Sequence, residues 1–164
     1  ASIAQYATKA NFRSGVKKET TDIPAFIEQY FTNIAKDFNA ADLNLNITNT
    51  MNESFEIKAS RVELSILIDN IISNSNKAQS SKLDIEISQI STNMIRISFI
   101  DDGKGLSNEL PSIESMFEMG ITTTSGGSGF GLYHSKTIIE KLNGKIYAIP
   151  QQPNGMEIRV EVPR

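Results

Sequence analysis

The chain has 164 residues, 39% of them apolar, and a formal net charge of −3. That is the size of one domain with one core, and no apolar run approaches the ~18–20 residues a membrane-spanning helix needs. The absence of cysteine excludes disulfides and thiolate metal sites, the single histidine, His134, excludes a multi-histidine metal site, and the charge argues against a dedicated nucleic-acid binder.

The chain opens on Ala1-Ser2-Ile3, without methionine and without the basic-then-apolar layout of a signal peptide. The expectation is a cytoplasmic piece of a larger protein. Residues 1–20 are polar and read as an upstream connecting segment, with a strand expected near 12–18. Asp22 is suited to cap a helix starting at Ile23-Pro24, because proline is tolerated in a first turn. Ile23, Phe26, Ile27, Tyr30, Phe31, Ile34 and Ala35 then recur at helical spacing. Leu43, Leu45 and Ile47 alternate with polar residues, as do Phe55 and Ile57. Asn49-Thr50-Met51-Asn52-Glu53 between them reads as a turn, which predicts a hairpin.

Ser60-Arg61-Val62-Glu63 is a capping box, with Ser60 as the cap and Glu63 reaching back to it. The helix it opens is predicted to run to about Ala78, with Leu64, Leu67, Ile68, Ile71, Ile72 and Ser75 on the core face. Two strands follow, near 83–88 and 94–100, the second ending in Asp101-Asp102-Gly103. Residues 106–126 hold a short helical piece near 113–119 and little else. A helix is expected from about Gly129 to a stop at Asn143-Gly144. Strands near 145–149 and 157–162, joined at Pro153-Asn154-Gly155, close the chain. These elements predict an α/β two-layer sandwich, with a mixed, largely antiparallel sheet and helices on one face.

Three segments carry chemistry. At about 100° per residue, Glu63, Asn70, Asn74 and Lys77 share a narrow arc of the 60–78 helix. Asparagine competes for backbone hydrogen bonds inside helices, so two of them one turn apart need a reason. A carboxamide oxygen suits a hard cation such as Mg²⁺, and an ammonium suits a phosphate. The second segment, Asp101-Asp102-Gly103-Lys104-Gly105, offers an acceptor for an exocyclic amine beside glycines that let a ligand approach the backbone. The third, Gly126-Gly127-Ser128-Gly129-Phe130-Gly131-Leu132, presents free N–H groups at a helix N-terminus, which suits phosphate. It is neither a Walker loop nor a dinucleotide fingerprint, because no Gly-Lys-Ser/Thr follows and no strand precedes it directly. Each segment also fits a plain alternative: a solvated helix edge, an acidic turn, a flexible linker. Their conjunction in one order favours a nucleotide site.

Together these segments resemble the ATP-binding domain shared by histidine kinases, gyrase-type topoisomerases, heat-shock chaperones and mismatch-repair proteins, the Bergerat fold. The resemblance covers about residues 60–164, and more loosely the stretch from 11 onward. Asn70-Ile71-Ile72-Ser73-Asn74-Ser75-Asn76-Lys77 is similar to its N box. Asp101 to Gly105 is similar to the first glycine box, Met116-Phe117-Glu118 to the aromatic box, and Gly127 to Leu132 to the second glycine box. The resemblance implies that Asn74 coordinates Mg²⁺ and that Asn70 and Lys77 support the phosphates as the catalytic pair. It implies that Asp101 accepts from the adenine amino group, partly through water, beside Gly103 and Gly105. Phe117, Gly127, Gly129, Gly131 and Leu132 complete the implied nucleotide site, and residues 106–126 form the implied ATP lid of a single domain spanning 1–164.

Hydrolytic members carry a glutamate four residues before the Mg²⁺-binding asparagine. Asn70 stands there in this sequence and cannot act as that base. The resemblance is therefore to the histidine-kinase branch, a two-component transferase that passes the γ-phosphoryl group to a protein histidine. His134 follows the phosphate loop and does not match the acceptor. The implied partners are a phospho-accepting histidine domain, upstream or in trans, and a response regulator, in a homodimeric parent that could be membrane-anchored upstream. The alternatives are a non-catalytic nucleotide-sensing module, or an ATPase or serine kinase of the same superfamily.

Overall fold

In the computed structural model, residues 17–38, 43–106, 110–121 and 131–164 are described, the side chains of 34–38 excepted. In chain order the elements are β1 (Glu19–Asp22), α1 (Ile23–Phe38), β2 (Asn44–Asn49), β3 (Glu56–Ala59), α2 (Arg61–Lys77), β4 (Lys82–Ser91) and β5 (Met94–Asp101). A 3₁₀ turn (Glu114–Phe117), α3 (Gly131–Glu140), β6 (Lys145–Pro150) and β7 (Met156–Pro163) follow. Five strands form one sheet in the order β2-β4-β5-β7-β6, in which only β2 and β4 are parallel. β1 and β3 make a separate antiparallel ribbon.

Strand alternation sends every second side chain to one face. On that face Leu83, Ile85 and Ile87 of β4, Ile95, Ile97 and Phe99 of β5, and Ile158, Val160 and Val162 of β7 are buried. They pack in one core with Ile23, Phe26, Ile27 and Phe31 of α1, the apolar face of α2, and Ile138 and Ile139 of α3. The expected core residues of α2 are all buried, and Ile66 joins them. The opposite sheet face is polar. There Arg96 pairs with Glu161 at 2.8 Å, Arg159 with Glu157 at 2.8 Å, and Ser98 donates to Glu157 at 2.8 Å. The predicted sandwich, with helices on one face of a mixed sheet, is the observed architecture.

The predicted hairpin is not. β2 pairs with β4 in parallel, and β3 pairs with β1. The chain is redirected at Phe55, which is fully buried. Its carbonyl accepts the Ile23 N–H at 3.0 Å, and its own N–H donates to Asp22 Oδ1 at 3.0 Å. Asp22, expected as a helix cap, thus ends β1 and holds the 55–59 segment against it. Ser60 does cap α2, its Oγ accepting the Glu63 N–H at 3.2 Å. The Glu63 carboxylate, expected to reach back to Ser60, instead pairs with Lys141 Nζ at 2.7 Å.

Asn143-Gly144 stops the third helix as expected, and by a specific device. Asn143 adopts φ 57° and donates to the Glu140 carbonyl, while Gly144 donates to that of Ile139, each at 3.0 Å. That pair of bonds is a Schellman motif. Of the strand expected near 12–18, residues 12–16 lie outside the described residues, and Lys17 and Lys18 are not in a strand, which begins only at Glu19; the helix start at Gly129 and parts of the 106–126 segment also lie outside the described residues. No described helix is long and apolar enough to cross a membrane.

Glu63 and Lys141 join the start of α2 to the end of α3. The Glu63 side chain is 9% exposed and that of Lys141 is 41%, so the pair lies between a surface bridge and a buried one. Lys141→Met is expected to lower unfolding stability by about 1–2 kcal/mol. An unchanged urea midpoint would contradict this role.

Candidate functional site

α2 and the end of β5 bring the polar residues together. Asp101, the last residue of β5, is 9% exposed. A carboxylate so buried requires donors. The Gly103 N–H donates to Oδ1 at 3.0 Å, and the Ser75 hydroxyl donates to Oδ2 at 3.2 Å. An ionised carboxylate has about four acceptor positions, so these two donors orient it and leave capacity for a ligand.

The neighbouring Asp102 belongs to the framework. The Ser81 hydroxyl donates to Oδ2, and Oδ1 accepts the N–H groups of Lys82 at 3.0 Å and Ser81 at 2.8 Å. The Ser81 hydroxyl first, and the Lys82 amide second, hold its carboxyl below the ordinary carboxylate range. The loop that follows is stitched to the end of α2. Lys104 N–H donates to the Ala78 carbonyl at 2.9 Å, and a Cβ on Gly103 would stand 2.5 Å from Ser80 Oγ and 2.7 Å from Ala78 Cβ. Gly105, at φ 73°, faces Gly155 of the turn between β6 and β7.

On α2, Asn70 Nδ2 donates to the Gly131 carbonyl at 3.0 Å, so the N box touches the first described residue of α3. One turn later the Nδ2 of Asn74 is buried with no hydrogen-bond partner among the described residues. Lys77 lies exposed in the last turn. Leu132 is partly buried against the core. Phe117 is 7% exposed and sits within the core, so its ring holds the 3₁₀ turn down. His134 is partly buried, its ring 5.9 Å from that of Tyr133, and burial lowers its pKa below the usual histidine value. Gly127 and Gly129 lie outside the described residues. Among the described residues no three His, Cys, Asp or Glu side chains are placed to hold a metal by themselves.

Two residues of this region escape sequence reasoning. Ser75 reads as a core-face residue because periodicity reports a face and not an atom. Gly155 reads as a turn residue only. Yet it has φ 108°, and a Cβ there would stand 2.0 Å from the Asp101 carbonyl oxygen. The turn thus lies directly on the Asp101 backbone. The Asn154-Gly155 pair signals the turn, and no local signal reports what it touches.

A fixed acceptor, an amide nitrogen without a partner among the described residues and an exposed ammonium on adjoining elements suit an amine at one end of a ligand and anionic oxygens at the other. The sequence profile of the histidine kinase-, DNA gyrase B- and HSP90-like ATPase family matches residues 59–164, and the chain belongs to that family. ATP is accordingly its nucleotide. Signal transduction histidine-protein kinase BaeS of Escherichia coli (strain K12) is 29% identical over 130 residues, covering 75% of this chain and 27% of that protein. Sensor protein FixL of Bradyrhizobium diazoefficiens is 27% identical over 111 residues, covering 65% of this chain and 22% of that protein. The match thus spans about a quarter of these relatives. Among solved structures, the catalytic domain of histidine kinase ThkA superposes with a TM-score of 0.75 at 23% identity, covering 90% of this chain and 95% of that one. Full-length ShkA in complex with AMPPNP gives 0.74 at 18% identity, covering 90% and 31%. ThkA in complex with response regulator protein TrrA gives 0.69 at 17% identity, covering 89% and 41%.

Gly155→Ala tests the packing of the turn on Asp101. The clash and the positive φ are expected to cost about 2–4 kcal/mol of stability. A melting temperature equal to that of the wild type would contradict the contact.

Proposed function

We propose that this chain is the ATP- and Mg²⁺-binding catalytic domain of a sensor histidine kinase, which presents the γ-phosphoryl group to a histidine outside this sequence. The observation that carries the reading is the Asn70 contact. The Gly131 carbonyl can only accept, so the atom of Asn70 that faces it must be the amide nitrogen. A glutamate there would oppose two acceptors, and an amide cannot take a proton from water. The position therefore anchors the start of α3 and does not activate water, which favours transfer over hydrolysis. The likeness to BaeS and FixL supports the same branch.

In this reading the Asp101 carboxylate accepts from the adenine amino group. Asn74 would hold Mg²⁺ through its carboxamide oxygen. When bound, Mg²⁺ offsets charge on the transferring phosphoryl group. Lys77 meets the phosphates as a point charge. Gly131, at the start of α3, and Gly127 and Gly129, which precede it in sequence, turn N–H groups to the phosphates. The chain's contribution is positioning and electrostatic stabilisation.

The wider proposal takes 1–164 as one domain, with 1–20 as an upstream connecting segment and 106–126 closing over the nucleotide, the acceptor domain lying upstream or in trans. It works in the cytoplasm, within a homodimeric parent anchored upstream. Its partners are a phospho-accepting histidine and a response regulator, as the complex of ThkA with TrrA suggests, and no nucleic acid.

The parent protein incubated with labelled ATP should gain acid-labile, base-stable phosphate. ATP binding without any such phosphate would favour a nucleotide-sensing module, and steady phosphate release abolished by Asn74→Ala would favour an ATPase. In this chain alone, Asp101→Ala and Asn74→Ala should each weaken ATP binding by about ten-fold or more, with the fold retained. Unchanged affinity in both, measured by calorimetry, would overturn the site.

A further inference from the structure

We infer that Ser75 is a positioning residue for nucleobase selection, its hydroxyl fixing the Asp101 carboxylate in the orientation that accepts the adenine amino group. The inference rests on the ATP-site reading above and extends it to a residue of the N box to which that reading gives no role.

The chain itself supplies the comparison. Hydroxyl side chains inside helices usually bond back to the carbonyl four residues earlier. Ser65 does so to Arg61 at 2.9 Å, Ser135 to Gly131 at 3.0 Å, and Thr137 to Tyr133 at 3.0 Å. Ser75 instead donates across to Asp101 Oδ2 on β5. It is 1% exposed, on the face where α2 meets the sheet. Alanine is the better helix former and would fill such a place without a polar atom. The hydroxyl is therefore explained by Asp101 and not by the helix.

A carboxylate turns about χ2 in a broad two-fold well. The Gly103 N–H alone would leave the group free to swing about one bond. The second donor, on the other oxygen, removes that freedom. An acceptor held in this way favours an exocyclic amine and sets two acceptors face to face if a carbonyl takes the amine's place. The Gly103 donor is backbone, so among the described residues Ser75 is the side chain through which this orientation can be altered.

The test is selectivity and not affinity alone. ATP and purine riboside triphosphate, which lacks the amino group, are titrated against the wild type and its variants, with folding verified by thermal melting. In the wild type ATP should bind more tightly. Ser75→Ala should weaken ATP about ten-fold and leave purine riboside triphosphate unchanged, so the ratio shrinks. Ser75→Thr, which keeps the hydroxyl, should keep the ratio. Adding Asp101→Asn to Ser75→Ala should reduce the ratio no further than Asp101→Asn alone, because both act through one carboxylate. A wild type that does not distinguish the two nucleotides overturns the Asp101 assignment and this inference with it. A discriminating wild type with an undiminished ratio in Ser75→Ala, or with both nucleotides weakened equally, overturns the role of Ser75 alone.

Discussion

A buried carboxylate at the end of a central strand imposes conditions on everything around it. Asp101, out of reach of bulk water, requires hydrogen-bond donors from the protein. It finds one in the loop that follows it and one on the helix that covers the sheet. These two bonds tie α2 to β5 at the point where the strand stops. The loop after Asp101 then runs against the end of α2, so closely that Gly103 has no room for a side chain. The turn before β7 lies on the same backbone through Gly155. Helix, strand, loop and turn are thus fitted to one carboxylate, and the acceptor they leave available is rigid.

The second constraint is the pairing of α2 with α3. Asn70 meets Gly131 near the start of α3, and Glu63 meets Lys141 just beyond its end. The two contacts hold the helices side by side in opposite directions. One helix carries the amides and the ammonium; the other begins where the glycine-rich segment ends. A site for an adenine nucleotide needs those two ends at a fixed distance, since base and phosphates lie at opposite ends of the ligand. Rigid placement is also what phosphoryl transfer asks of a protein, because most of its barrier is lowered by orientation and charge.

Much of this was legible in the chain. Ser60 marks the start of α2 and Asn143-Gly144 the end of α3, because capping is chemistry among neighbours. The strands expected near 83–88 and 94–100 are β4 and β5, and the motif order pointed to the nucleotide site. What the sequence withheld is non-local. Alternation says that a segment is a strand and not which strand it joins, so β2 and β3 read as a hairpin when each has another partner. Glu63 satisfied a local capping pattern, yet its ion pair lies 78 positions away. Ser75 counted as core because a helical period cannot distinguish a buried methyl from a buried hydroxyl. Phe117 matched an aromatic motif, and its burial in the core became visible only with the fold.

The central claim is that Asp101 receives an adenine amino group while Asn74 faces the phosphates. A structure of this chain with Mg²⁺ and AMPPNP tests it most directly. The account predicts the amino nitrogen within hydrogen-bonding reach of an Asp101 carboxylate oxygen, directly or through one water, with the Ser75 and Gly103 donors still in place. It also predicts the ion on the Asn74 carboxamide oxygen. A nucleotide seated elsewhere on the domain, or an adenine ring with Asp101 unengaged, would contradict it.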